Sequence, residues 1–250
     1  MLKIYRPIRT DFKTQGFGDN LSCTKTDIYG KVITPYQVIP GIFPGTCPVG
    51  STKLYPTLGL TAHNGEDWAT YYGEPIFFPV MSEGIEWFAS SEIDQNGGIG
   101  VNVRSMQPVP LESLPEQCTD LSKAQYKKLG GKVYLYFKFW HMKQVNVYDK
   151  KPIKPGDCIG WADSTGISGG NHLHWSMKIA NDTSWFTLDG DNGYQGALDF
   201  SQWFTNEFVG DILQTDSSKV GIIAEILRSL GDPDSAVVKR FSELLKGIGL

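Results

Sequence analysis

From Lys132 to Met142 the chain reads KVYLYFKFWHM, and Val133, Leu135, Phe137, Phe139 and His141 fall on one side of it if it is extended. Successive side chains of a strand point to opposite faces, so this run suits a sheet with one buried face and does not suit a helix of period 3.6. The stretch His172 to Ile179 (HLHWSMKI) alternates in the same way. Ile76 to Val80, Gly84 to Ala89 and Ile99 to Arg104 are shorter runs rich in aromatic and β-branched residues, which favour strands. Between the runs lie turn residues, supplied by 28 glycines and 14 prolines. With 40% apolar residues, the 250-residue chain has enough apolar surface for a real core. These features predict a mainly β protein built on a twisted antiparallel sheet.

Two stretches read as insertions in that sheet. Residues 19–57 are rich in Gly, Pro, Thr and Cys, and residues 106–131 begin Pro-rich and turn helical around Ser122 to Leu129. The tail changes period. Val220, Ile223, Leu227 and Leu230 recur at helical spacing, Gly231-Asp232-Pro233-Asp234 breaks the pattern, and Val237, Val238, Phe241, Leu244 and Leu245 form a second apolar face. The expected organisation is a β domain over 1–208 carrying both insertions, with a C-terminal helical hairpin at 217–250. No internal repeat interrupts it.

A net charge of −4 argues against a general electrostatic grip on nucleic acid or an anionic membrane. No apolar run reaches membrane-spanning length, and the first 18 residues lack a secretory signal. The four cysteines, Cys23, Cys47, Cys118 and Cys158, form no Cys-x-x-Cys pair, which disfavours a zinc knuckle. They permit two disulfides or four thiols.

The four histidines carry the chemical signal: His63, His141, His172 and His174. His172 and His174 project from one face of their strand, and His63 and Asp67, in HNGED, share a face whether extended or helical. Gly65 between them favours a turn or extended path. Either pair alone is a common structural pattern. Together they hold three imidazoles and one carboxylate, of which two imidazoles and the carboxylate make a donor set natural to zinc, with a coordination position left for water. Zinc lowers the pKa of such a water to about 7 and polarises a carbonyl. With two of the four histidines on the metal, two remain, His141 and His172, which is the number of proton carriers the chemistry needs. Glu66, as strand neighbour of Asp67, should point away from the metal to the surface. Trp68, Trp87, Trp140, Trp161 and Trp175 flank the motifs and are expected mainly in packing.

HNGED, FWHM and IGWADSTGISGGNHLHW, with GFG at 16–18, GEPIFFPVMSEGIEW at 73–87 and KPIKPGDCIG at 151–160, resemble the lysostaphin/LytM-type zinc endopeptidases in order and spacing. The resemblance covers roughly residues 12–180, outside the two insertions. It implies zinc held by His63, Asp67 and His174, and catalytic roles for His141 and His172. It also implies a sheet flooring a narrow groove, and the peptide part of bacterial peptidoglycan as substrate, in a cross-bridge or a stem peptide. The chain departs from the family pattern at Asp163, Gly169 and Asn171, and at Asn20, near where an arginine is common.

The expected function is therefore a zinc endopeptidase acting on the bacterial cell wall. The missing signal suggests a bacteriophage product, virion-associated or released at lysis, whose 217–250 helices dock on other virion proteins. Two alternatives belong beside it: a non-catalytic wall-binding or structural virion component that keeps the fold, and a metallopeptidase acting on protein.

Overall fold

The computed structural model describes residues 2–110 except 27, 30–31, 38–46 and 48, and residues 132–213 except 181–186 and 189. The expected helix around 122–129, Cys118 and the helical hairpin at 217–250 lie outside the described residues.

The chain opens with β1 (Lys3–Arg6), β2 (Lys13–Gln15), β3 (Ser22–Thr26), β4 (Val32–Gln37) and β5 (Thr52–Lys53), then a single helical turn, α1 (Leu54–Thr57). Next come β6 (Glu66–Ala69), β7 (Pro75–Phe77), β8 (Val80–Met81), β9 (Trp87–Asp94), β10 (Gly98–Ser105) and β11 (Val109–Pro110). The remainder holds β12 (Lys132–Val145), β13 (Lys151–Ile153), β14 (Cys158–Ala162), β15 (His172–Ala180), β16 (Ala197–Leu198) and β17 (Phe204–Phe208).

The main sheet is antiparallel and runs β13-β9-β10-β12-β15-β6-β2, with β14 joining β12 to β7. Two small sheets flank it, β17-β1-β8 and β4-β3-β5. The long alternating run is the central strand, pairing β10 on one side and β15 on the other. Its Val133, Leu135, Phe137 and Phe139 are fully buried, and they meet Val101 and Val103 of β10 and Leu173, Trp175, Met177 and Ile179 of β15 in one core. Each such side chain contributes about 1.5–3 kcal/mol by leaving water. The opposite face carries Lys138 and Trp140 of β12, opposite Ser176 and His174 of β15.

Two expected strands differ in detail. Ile76 to Val80 is two strands, because β7 pairs β14 whereas β8 turns to pair β1. Pro79, which has no N–H to extend a ladder, sits at the break. The run expected from Gly84 starts at Trp87, since Gly84 occupies a turn with φ 69°. In the 19–57 insertion, Cys23 of β3 is disulfide-bonded to Cys47, and Cys158 is a free thiol.

Candidate metal centre

His63, Asp67 and His174 come together from two adjacent strands and the turn before one of them. β6 and β15 pair with His174 directly opposite Asp67 and His172 opposite Ala69, so both carboxylate and imidazoles face the same side of the sheet. Asp67 Oδ1 lies 3.1 Å from His63 Nε2 and 2.9 Å from His174 Nδ1, and the two nitrogens are 2.9 Å apart. Among the described residues this is the one group of three His, Cys, Asp or Glu side chains able to hold a metal ion. All three are buried.

The donor set fits zinc. Bonds of about 2.0–2.1 Å in a tetrahedron set donors roughly 3.3 Å apart, so this triangle opens by only a few tenths of an ångström to hold the ion. His63 Nδ1 is 2.9 Å from the Gly16 carbonyl, a bond in which Nδ1–H donates, so that in the neutral ring Nε2 carries the lone pair toward the donor triangle; burial opposes its charge, but Asp67 raises its pKa above the ordinary value. Burial pushes the His174 imidazole down to about 4, with Asp67 opposing, so its ring is neutral as a ligand must be. Burial works against ionisation of Asp67, yet the His63 and His172 imidazoles hold its carboxyl well below the usual range.

Gly65 has a packing reason that the sequence pattern does not state. A Cβ there would lie 2.8 Å from His174 Cε1 and 2.4 Å from the Trp175 carbonyl oxygen. The glycine of HNGED lets the two motifs approach until their donors meet. Glu66 does point away from the donor triangle, as expected, but it is buried rather than on the surface. It occupies the core side of β6, where its carboxylate pairs with Lys13 Nζ at 2.7 Å.

His141 corrects the alternation pattern. Strict alternation puts it on the core face with Phe137 and Phe139, yet its ring lies 4.5 Å from that of His172 and 6.1 Å from that of His174, centroid to centroid. The cause is a bulge. Ile99 pairs with Met142 and Val101 with Phe139, so β12 spends one more residue than β10 over the same interval. His141 absorbs it with φ 62°, a left-handed conformation that a non-glycine residue adopts only where surrounding contacts impose it. Its N–H donates to Gly97 O at 2.9 Å and thereby anchors the bulge to the β9–β10 hairpin.

Both flanking histidines have a defined tautomer. His141 Nδ1 donates to Thr165 O at 2.7 Å, and His172 Nδ1 donates to Gly170 O at 2.8 Å. In the neutral ring this places the lone pair on Nε2, and His172 Nε2 lies 3.8 Å from Asp67 Oδ1. Burial, then His172 and His174, push the His141 imidazole down to about 3, so it is neutral at pH 7. Thr165 is itself tied across the sheet: its hydroxyl donates to Met142 O at 2.8 Å and accepts from Ile99 N–H at 3.1 Å.

Trp140 is more than packing. Its ring stacks on His174 at 5.2 Å and 24°, its Nε1–H donates to Glu92 Oε1 at 2.9 Å, and Lys138 Nζ sits 4.9 Å from its centroid. On the hairpin side, a Cβ at Gly97 would come within 2.3 Å of the ring. The indole is thus wedged between the glycine hairpin and His174. Trp140 was expected mainly in packing and no sequence signal distinguished Glu92; the run NGGIG at 96–100, too glycine-rich for a free strand interior, is the trace of the wedge.

The donors, His141, His172 and Trp140 line one cavity of about 270 Å³, walled also by α1 and by residues 167–171.

No family model matches the chain. No curated protein matches it either. Among solved structures, the chain is similar to the catalytic domain of the antimicrobial peptidase lysostaphin from Staphylococcus simulans, at 19% identity over 58% of this chain and 82% of that one, TM-score 0.36. It is also similar to the catalytic domain of the prophage-encoded protein EnpA from Enterococcus faecalis (15%, 67% and 79%, TM-score 0.35). A zinc-containing peptidase from Vibrio cholerae is a third (17%, 72% and 38%, TM-score 0.37). These likenesses are partial in sequence and in shape.

Proposed function

We propose that this protein is a zinc endopeptidase that hydrolyses a peptide bond of bacterial peptidoglycan, with the cavity as its substrate groove. The observation that carries the proposal is the meeting, in one cavity, of a three-donor cluster and two histidines whose Nε2 atoms are bare. In it, His63, Asp67 and His174 hold the metal, and His141 and His172 are the catalytic residues. Zinc bound there would supply a polarised carbonyl and a water acidified to about pKa 7.

The chain's own groups do the rest. His141 Nε2 and His172 Nε2 can each take a proton at the reacting centre and return it to the leaving amine, because their Nδ1–H atoms are already committed to Thr165 O and Gly170 O. Those carbonyls also stabilise the imidazolium that forms. Trp140 keeps His174 in place and excludes water from one side of it. A purely wall-binding component would not need two histidines with fixed tautomers, which favours the enzymatic alternative. The peptidoglycan substrate rests on the motif resemblance. We further propose that residues 1–208 form the catalytic unit and that 217–250 dock it to a partner.

The test is hydrolysis of purified cell wall and of soluble wall peptides by the zinc-loaded protein. New amino termini should appear, disappear with chelator and return with zinc. Zinc-loaded protein that leaves both wall and peptides intact, or hydrolysis indifferent to chelator, would overturn the proposal. Among the described residues no helix is long and apolar enough to cross a membrane.

A further inference from the structure

We infer that the cavity contains an aliphatic subsite, formed by Leu54, Tyr55, Leu58, Leu60 and Ile167, which takes the uncharged aliphatic side chain of a substrate residue flanking the scissile bond. This rests on the endopeptidase function proposed above and specifies the substrate it would accept.

The five side chains line the same cavity as the metal donors. They also pack into a cluster of their own, apart from the main core: Leu54, Tyr55 and Leu60 are buried, and Leu58 and Ile167 lie against them partly exposed. The wall comes from two distant parts of the chain, four residues in or just after α1 and one from the loop before His172. Each part is fixed to the reacting centre. The Tyr55 ring lies 5.5 Å from that of His63, centroid to centroid. Ile167 adjoins Ser168, whose hydroxyl is 3.2 Å from His172 Nδ1.

The wall is also held rigid. Tyr55 O accepts from the N–H groups of Leu58 and Leu60, both at 2.9 Å, and its hydroxyl bonds to Gln15 Nε2 and lies 3.3 Å from Ser22 Oγ. Ile167 N–H donates to Asn96 O at 2.7 Å. A partly exposed apolar wall that is already ordered accepts an apolar group at little entropic cost. Apart from Asp67 and the four histidines, the described residues lining the cavity carry no charged side chain. A substrate lysine or glutamate entering there would be desolvated without a partner, and so disfavoured. Glycine would leave the wall wet. In a hydrophobic pocket one methylene changes the specificity constant by about 10–200-fold.

The experiment uses the full-length zinc-loaded chain and six-residue glycine peptides. A single alanine, leucine, lysine or glutamate, in L or D form, is placed at each position in turn. At one position beside the cut, alanine or leucine should raise kcat/KM at least about tenfold over glycine, and lysine or glutamate should not. In Leu58→Ser and Ile167→Ser, one from each part of the wall, that ratio should fall toward one while zinc content stays at one per chain. Equal cleavage of glycine and aliphatic peptides, or a ratio unchanged in both variants, would overturn the subsite. If no peptide is cut at all, the endopeptidase function is what fails, and the subsite is judged by binding of the same peptides, followed through tryptophan fluorescence. Tighter binding of aliphatic peptides, lost in both serine variants, supports it; equal binding of all peptides overturns it.

Discussion

Opening the Cys23–Cys47 disulfide should destabilise the protein by about 3.5 kcal/mol and leave the metal in place. The two cysteines are 24 residues apart in sequence. In the chain-entropy account a loop of that size removes roughly 12 cal/mol/K from the unfolded ensemble, which gives the energy quoted at 25 °C. For a protein of this length it corresponds to a fall in Tm of about 7–14 °C. The consequence near the site is local. Cys23 pairs with Lys53 across β3 and β5, and Leu54 follows immediately, so a loosened β3 loosens the start of the aliphatic wall. His63, Asp67 and His174 all lie outside the 23–47 loop. Denaturant unfolding of oxidised protein, of protein reduced with a mild phosphine, and of the Cys23→Ala/Cys47→Ala double variant measures the loss. Metal analysis on the same samples checks zinc, and peptide kinetics should show a raised KM. A loss below about 1 kcal/mol would mean that the cross-link constrains little, and loss of zinc on reduction would refute the separation of wall from metal centre.

Three further outcomes are expected. His174→Ala and Asp67→Ala should lose bound zinc, whereas His141→Ala should keep it and lose on the order of 10²–10⁴-fold in rate; zinc analysis beside single-turnover kinetics decides between them, and zinc-replete His174→Ala would remove that ligand. Trp140→Ala should weaken zinc affinity on the order of tenfold, as outer partners of metal ligands do, and Trp140→Phe should restore most of it by keeping the stack on His174; chelator competition reads this, and equal affinity in both variants would discount the stack. Burial, followed by Lys138 and against Glu92 and Asp94, pushes the Lys178 ammonium down to about 8. Between pH 8 and the ordinary lysine value of 10.5 the unfolded chain then binds more protons, so stability from this group rises with pH across that window and is lowest below it. Lys178→Met should accordingly be more stable than the parent at pH 7, by on the order of 1–3 kcal/mol, with the advantage shrinking toward pH 10.5; a difference that is flat with pH would refute the assignment.

The alternation of KVYLYFKFWHM and HLHWSMKI by itself determined the central strands and their buried face, because a period of two commits every second side chain to one side of a sheet. The spacing of His172 with His174 likewise determined that the two share a face; His63 stands in the turn before β6, so its meeting with Asp67 and His174 followed from that turn and from pairing β6 with β15. The tertiary structure alone decided what periodicity cannot express. His141 reaches the side of His172 and His174 only because β10 is one residue short opposite it, and a bulge is a property of two strands, not of one. Glu66 is buried because Lys13, 53 positions earlier, arrives on β2 to neutralise it. The same holds for Cys23 and Cys47: their pairing depends on how the 19–57 insertion folds back against β5, and any two of four cysteines satisfied the sequence equally well. Local pattern fixes direction and face; long-range register fixes who meets whom, and the site's chemistry is made of such meetings.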